Sequence, residues 1–152
     1  MPISASSCRL RKGRSSEPNQ IYLLTSVVDQ RTPLFVDWPT GRLVAEQFRQ
    51  AHDAGLVTSL AWVVMPDHFH WLIQLNKGTL AELMCRVKSR SSKALNMRSG
   101  LSTRIWQRGY HDRGLRREDD LKALARYIVM NPIRAGLVSK IGDYPLWDAV
   151  WL

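Results

Sequence analysis

The chain has 152 residues, 45% of them hydrophobic and 23% charged, which is enough for one domain with its own core and excludes a disordered chain. No apolar run approaches the length of a membrane span, so no membrane association is expected. Twenty-two lysines and arginines face 13 aspartates and glutamates, a net charge of +9, and this balance points to a polyanionic partner unless the protein is merely basic and globular.

Residues 1–20 combine Ser, Pro and Gly with Arg9, Arg11, Lys12 and Arg14, the composition of a flexible basic arm able to settle on phosphates, and residues 21–152 form the single folded domain. The opening MPISASSCRLRKGRSS lacks the hydrophobic centre of a signal peptide. Cys8 and Cys85 make neither a disulfide framework nor a metal-ligand spacing, so both are expected as free thiols in the cytosol.

The run IYLLTSVVD (21–29) predicts a strand, broken by DQRTP. From Gly41 to Ala54, Leu43, Val44, Phe48 and Ala51 recur at helical spacing, and Gly55 ends the helix. LVTSLAWVVM (56–65) and HFHWLIQL (68–75) flank Pro66-Asp67 and predict a tight antiparallel pair. A second helix follows NKG, with Leu80, Leu83, Met84, Val87, Ala94 and Leu95 on one face and Arg86, Arg90 and Lys93 on another. That basic stripe suits phosphate contacts, or simply a solvated helix face. TRIWQRG (103–109) is assigned as a short fourth strand, and the last helix runs from about Glu118 to Asn131, stopped by Pro132. Trp62, Trp71 and Trp106 sit on strand-like runs and belong to the core. The order predicts a ferredoxin-like α+β fold, an antiparallel sheet with helices on one face and an additional C-terminal helix.

Within MPDHFHWLIQL (65–75), His68 and His70 share one strand face, about 7 Å apart at the backbone, close enough to converge on a divalent ion. A structural or surface pair reads the same way, but polar rings on a strand of Trp, Val, Leu and Ile cost free energy unless something binds them. Tyr127 and Asn131, four residues apart, share a face of the last helix. If that face covers the strand pair, Asn131 offers a carbonyl ligand and Tyr127 a phenol beside the ion. Their plainer readings are a core-edge tyrosine and a helix-ending residue before proline. Tyr110 and His111, in RGYHDRG, form a rival nucleophile and contact, or an ordinary surface turn.

WVVMPDHFHWLIQL, followed by WQRGYHDRGLRREDDLKALARYIVMNPIRAGLV, resembles the REP-associated tyrosine transposases, a branch of the single-tyrosine HUH transposases. The similarity runs from about Arg11 to Trp147. It implies that His68 and His70 bind a divalent metal, Mg²⁺ or Mn²⁺, that Tyr127 is the nucleophile on the C-terminal helix, and that Asn131 is a third polar ligand. Insertion-sequence relatives carry glutamine at that last place. The resemblance further implies cleavage and joining of single-stranded DNA near palindromic hairpins through a 5′-phosphotyrosine, by a monomer or homodimer. Two alternatives remain at this level: a hairpin-binding protein domesticated from a transposase that no longer cuts, and a rolling-circle initiator or relaxase, which shares the histidine pair.

Overall fold

Strand β1, Ile21–Val27, alternates half-buried and buried residues along its whole length, the signature of a strand with one face against a core. The computed structural model describes residues 19–116 and 118–151; Arg9, Arg11, Lys12 and Arg14 lie outside the described residues. Backbone pairing begins as soon as the described chain does, since Asn19 N–H donates to the Leu75 carbonyl at 2.6 Å.

After β1, helix α1 spans Trp38–Asp53. It starts ahead of the expected Gly41 because Pro39 fits the first turn, where its missing N–H forfeits nothing, and Thr40 Oγ1 donates to Asp37 Oδ2 at 2.5 Å. Strands β2, Val57–Met65, and β3, His68–Leu75, form the expected hairpin across Pro66 and Asp67. Helix α2, Leu80–Ser99, opens on a reciprocal capping box between Thr79 and Glu82 and ends at Gly100, whose φ of +75° is one that side chains resist.

The fourth strand is not 103–109. That segment contributes a single bridge, Val28 to Trp106, and β4 is His111–Leu115. Trp106 is drawn into the core, its indole N–H donating to Ser91 Oγ at 3.0 Å. Lys88 Nζ then holds the carbonyls of Gln107 and Gly109 at 2.8 and 2.7 Å, so the chain turns before it pairs with β1.

Helix α3, Glu118–Val129, is followed by a separate turn of helix, α4, Asn131–Arg134. Pro132 therefore does not stop the helix but starts the next one, in the first-turn position where proline is at home. A short strand unforeseen from sequence, β5 at Trp147–Ala149, closes the chain onto β2. It is anchored by Tyr144, whose hydroxyl donates to the Val64 carbonyl at 2.6 Å and whose phenol burial pushes up to about 12.

The sheet order is β4-β1-β3-β2-β5, all neighbours antiparallel, which is the ferredoxin-like α+β arrangement with one added edge strand. On one face, α1 and α2 cover an aromatic core: Phe48 stacks on Trp71 with centroids 4.4 Å apart and meets Phe69 edge-on at 4.9 Å. Each such fully buried ring contributes roughly 1.5–3 kcal/mol over the exposed state. On the other face, Ala61, Val63 and Leu72 are buried beneath α3, which packs against β2 and β5 through Leu121, Ala125 and Ile128. Toward β1 that face stays only half covered, for Leu23, Thr25 and Val27 remain half-buried. No described helix is long and apolar enough to cross a membrane.

Candidate active site

Residues directly opposite in an antiparallel pair point to the same side, so the register places Val63, His70, Thr25 and His111 in one row across β2, β3, β1 and β4. This row lies on the half-covered face. His68 stands two positions along β3 from His70, and their rings are 5.0 Å apart between centroids at an interplanar angle of 79°.

Each imidazole is tied through Nδ1. His68 Nδ1 lies 2.7 Å from Asp67 Oδ1, and an ionised carboxylate only accepts, so Nδ1–H is the donor in this bond. Asp67 is in turn held by Arg31 at 3.2 Å. Burial opposes the Asp67 charge, but the hydrogen bonds and charges of His68 and Arg31 outweigh it and keep the carboxyl below its ordinary value. His70 Nδ1 shares a 2.8 Å hydrogen bond with Thr25 Oγ1. Burial first, then the charges of His68 and Arg134, push His70 down from 6.5 to about 4, so the ring is neutral at physiological pH. Two oriented imidazoles, each engaged through Nδ1, resemble the arrangement of metal-binding histidines, whose second ring nitrogen is normally fixed by a hydrogen bond to a neighbouring group.

Among the described residues, no group of three His, Cys, Asp or Glu could hold a metal. A cation at this pair would draw its remaining ligands from amide, water or substrate oxygen, a donor set that suits a divalent ion with affinity for both nitrogen and oxygen.

Tyr127 is on α3 and 61% exposed, so its ring is not locked in apolar packing. Asn131 opens α4. The break between the two helices brings Arg134 back onto both: its Nη2 donates to the Tyr127 carbonyl at 2.6 Å and to Asn131 Oδ1, and its guanidinium carbon lies 3.8 Å from the centroid of the Tyr127 ring. The charge of Arg134 also helps hold His70 down, whereas among the described residues no hydrogen bond or ring contact joins Tyr127 or Asn131 to the histidine pair.

Arg86, Arg90 and Lys93 fall elsewhere. With Lys77 they line a groove of about 450 Å³ along the outside of α2, on the opposite side of the sheet from the histidines. Arg86 Nε is buried there without a hydrogen-bond partner among the described residues. His111 is exposed at the end of the histidine row, whereas Tyr110 packs half-buried against the core. A cavity of about 490 Å³ beside β5, lined by Arg42, His52, Trp62 and Asp148, contains none of the histidine cluster, whose rings are half-buried on the partly covered face.

Sequence reasoning passed over Asp67, Arg31, Thr25 and Arg134. Asp67 and Arg134 were visible, one in the turn before His68 and the other within YIVMNPIRAGLV. Thr25 and Arg31 carry no sequence signal of their own, since only the strand pairing brings them to the histidines.

Compared with known proteins, residues 17–131 match the sequence profile of the family described as "Transposase IS200 like". The REP-associated tyrosine transposase of Escherichia coli K12 is 26% identical over 87 residues, covering 56% of this chain and 50% of that protein, so this chain spans half the relative's length. A Haemophilus influenzae Rd protein provisionally given the same designation is 25% identical over 136 residues, covering 82% of this chain and 77% of its own. Among solved structures, a REP-associated tyrosine transposase bound to a REP hairpin has the same fold, with a TM-score of 0.72 at 21% identity over 87% of this chain and 78% of that one.

Proposed function

Because this chain belongs to the IS200-like transposase family, we propose that it cuts and rejoins single-stranded DNA beside palindromic hairpins, using Tyr127 as nucleophile and a divalent ion, Mg²⁺ or Mn²⁺, held by His68 and His70. The observation that carries this reading is the pair of oriented imidazoles on the half-covered sheet face, together with an exposed tyrosine that Arg134 stacks against. The name of the relatives and the hairpin in the related complex supply the substrate class.

Asn131 would add an amide oxygen to the two imidazole nitrogens. Its Oδ1 accepts from Arg134 but has a second lone pair. When bound, the ion supplies charge neutralisation at a non-bridging phosphate oxygen and fixes the orientation of the phosphate.

Tyr127 Oη forms a bond to phosphorus, the bond from phosphorus to the 3′ oxygen breaks, and its electron pair stays on that oxygen. The phenol gives up its proton to solvent and the departing oxygen takes one up, leaving a 5′-phosphotyrosine and a free 3′-hydroxyl. The ester energy is conserved, so attack by another 3′-hydroxyl reverses the step and joins strands. The half-covered strip of sheet at Leu23, Thr25 and His111 is the path by which a single strand reaches the histidines, and the groove at Arg86, Arg90 and Lys93 offers phosphate contacts on the far side.

The test uses a hairpin oligonucleotide with single-stranded flanks, labelled separately at either end, incubated with Mn²⁺. A covalent adduct carrying the 3′-end label, lost in Tyr127→Phe and in His70→Ala, is expected; an adduct that persists in Tyr127→Phe refutes the nucleophile. Tight hairpin binding without cleavage in any divalent metal favours the non-cutting alternative.

A further inference from the structure

Arg134 is an exposed cation with an incomplete set of partners. One terminal nitrogen, Nη2, is occupied by the Tyr127 carbonyl and Asn131 Oδ1. Among the described residues, neither Nη1 nor Nε has a hydrogen-bond partner, and no carboxylate pairs with the guanidinium. Its guanidinium carbon lies over the Tyr127 ring, 3.8 Å from the centroid, a cation–π contact between two exposed side chains. A guanidinium offers five N–H donors in a planar fork that matches the oxygens of a phosphodiester, and here several of those donors point to no protein group.

We propose that Arg134 is a catalytic residue that grips the scissile phosphodiester while stacked on Tyr127, so that one side chain both holds the nucleophile and presents the phosphate to it. This rests on the reading of Tyr127 as nucleophile and assigns to Arg134 a role of its own. The charge balance supports it. A divalent ion at His68 and His70 would carry the same sign of charge as the guanidinium of Arg134, and the carboxylate beside the histidines, Asp67, is already committed to His68 and Arg31. An anion bound between them relieves that repulsion, and it receives electrostatic stabilisation from both sides as charge builds on its oxygens. Asn131, by accepting from Nη2, fixes the fork so that its remaining edge is presented in a single orientation. The break between α3 and α4 at Met130 is what permits this, because on an unbroken helix residue 134 stands about 10 Å along the axis from residue 127.

The experiment first maps the cleaved bond with the native protein, then places a single uncharged methylphosphonate at that position. On the ordinary phosphodiester, Arg134→Ala is expected to slow adduct formation by about 100-fold or more, and Arg134→Lys by less. On the methylphosphonate, which has lost the negative oxygen that Arg134 grips, the gap between native and Arg134→Ala is expected to shrink to less than about tenfold. Far-UV circular dichroism and melting of both variants establish that they fold. A Tyr127-dependent adduct formed at native rate by Arg134→Ala overturns this proposal alone, as does an equal deficit on both substrates, which marks a purely structural role. An adduct that persists in Tyr127→Phe removes the underlying reading and this proposal with it.

Discussion

Acid is expected to destabilise the metal-free protein more steeply than its carboxylates account for, and His70 is the cause. In the folded chain its imidazole is held at about 4 by burial and by the charges of His68 and Arg134, against an ordinary 6.5. Between those two values the unfolded chain binds a proton that the folded chain does not, so stability falls as pH drops through 6.5 and levels off only below about 4. The full separation corresponds to about 3 kcal/mol, of which about 2 kcal/mol is lost between neutrality and roughly pH 4.5. At a urea dependence of about 1–3 kcal/mol per molar, this moves the denaturation midpoint by roughly 1 M. The assay is urea unfolding in chelator at both pH values, for the native protein and His70→Gln. The substitution has its own cost at every pH, so the informative quantity is the difference in pH slope, with Asp67 and the other carboxylates common to both proteins. Native protein losing about 2 kcal/mol more than the variant supports the burial of a neutral imidazole. Equal slopes refute it, and with it the claim that His70 keeps a lone pair ready for a cation in weak acid.

Gly41 lies on α1 where an added Cβ would press on Leu146 Cδ1, and Leu146 is fully buried and unable to swing aside. Gly41→Ala gains about 1 kcal/mol of helix propensity but overpacks the site at a cost of about 1–3 kcal/mol, so the melting temperature is expected to fall by a few degrees and to recover in combination with Leu146→Val; a rise for the single variant contradicts the packing. Neutralising Arg86, Arg90 and Lys93 together to glutamine is expected to flatten the salt dependence of single-stranded DNA binding, with the slope of log K against log salt changing by up to about 2. An unchanged slope shows that the groove on α2 does not meet the nucleic acid.

The elements that sequence revealed are those whose signal is local. The hairpin at Pro66 and Asp67, the α2 face of Leu80, Leu83, Met84 and Val87, and the histidine pair all follow from side-chain period and turn chemistry within one segment. Elements placed by distant partners were misread or missed. Trp106 looked like the centre of a strand but is pinned by Ser91 from another helix, and this shifts the true strand to His111–Leu115. The three residues of β5 carry no strand pattern of their own and exist because β2 has an edge to pair. Pro132 was read as a stop because the residue before proline avoids the helical region, yet proline in the first turn of a new helix costs nothing.

That last misreading bears directly on the site. A helix continuing to residue 131 and then stopping leaves Arg134 in a loop of no definite direction, and the candidate site then consists of two histidines, a tyrosine and an amide with nothing joining them. The observed break changes the connectivity on the helical side, because the turn of α4 returns the guanidinium to the Tyr127 ring and the Asn131 oxygen. The two faces of the sheet divide the work accordingly. One is closed by α1 and α2 over an aromatic core that fixes the strands, and the fixed strands hold Thr25 and Asp67 in register with the histidines. The other is only partly closed by α3, so the strip at Leu23, Thr25 and Val27 beside the oriented rings stays half covered. Extending α3 toward β1 with larger apolar side chains would add stability at the expense of that access.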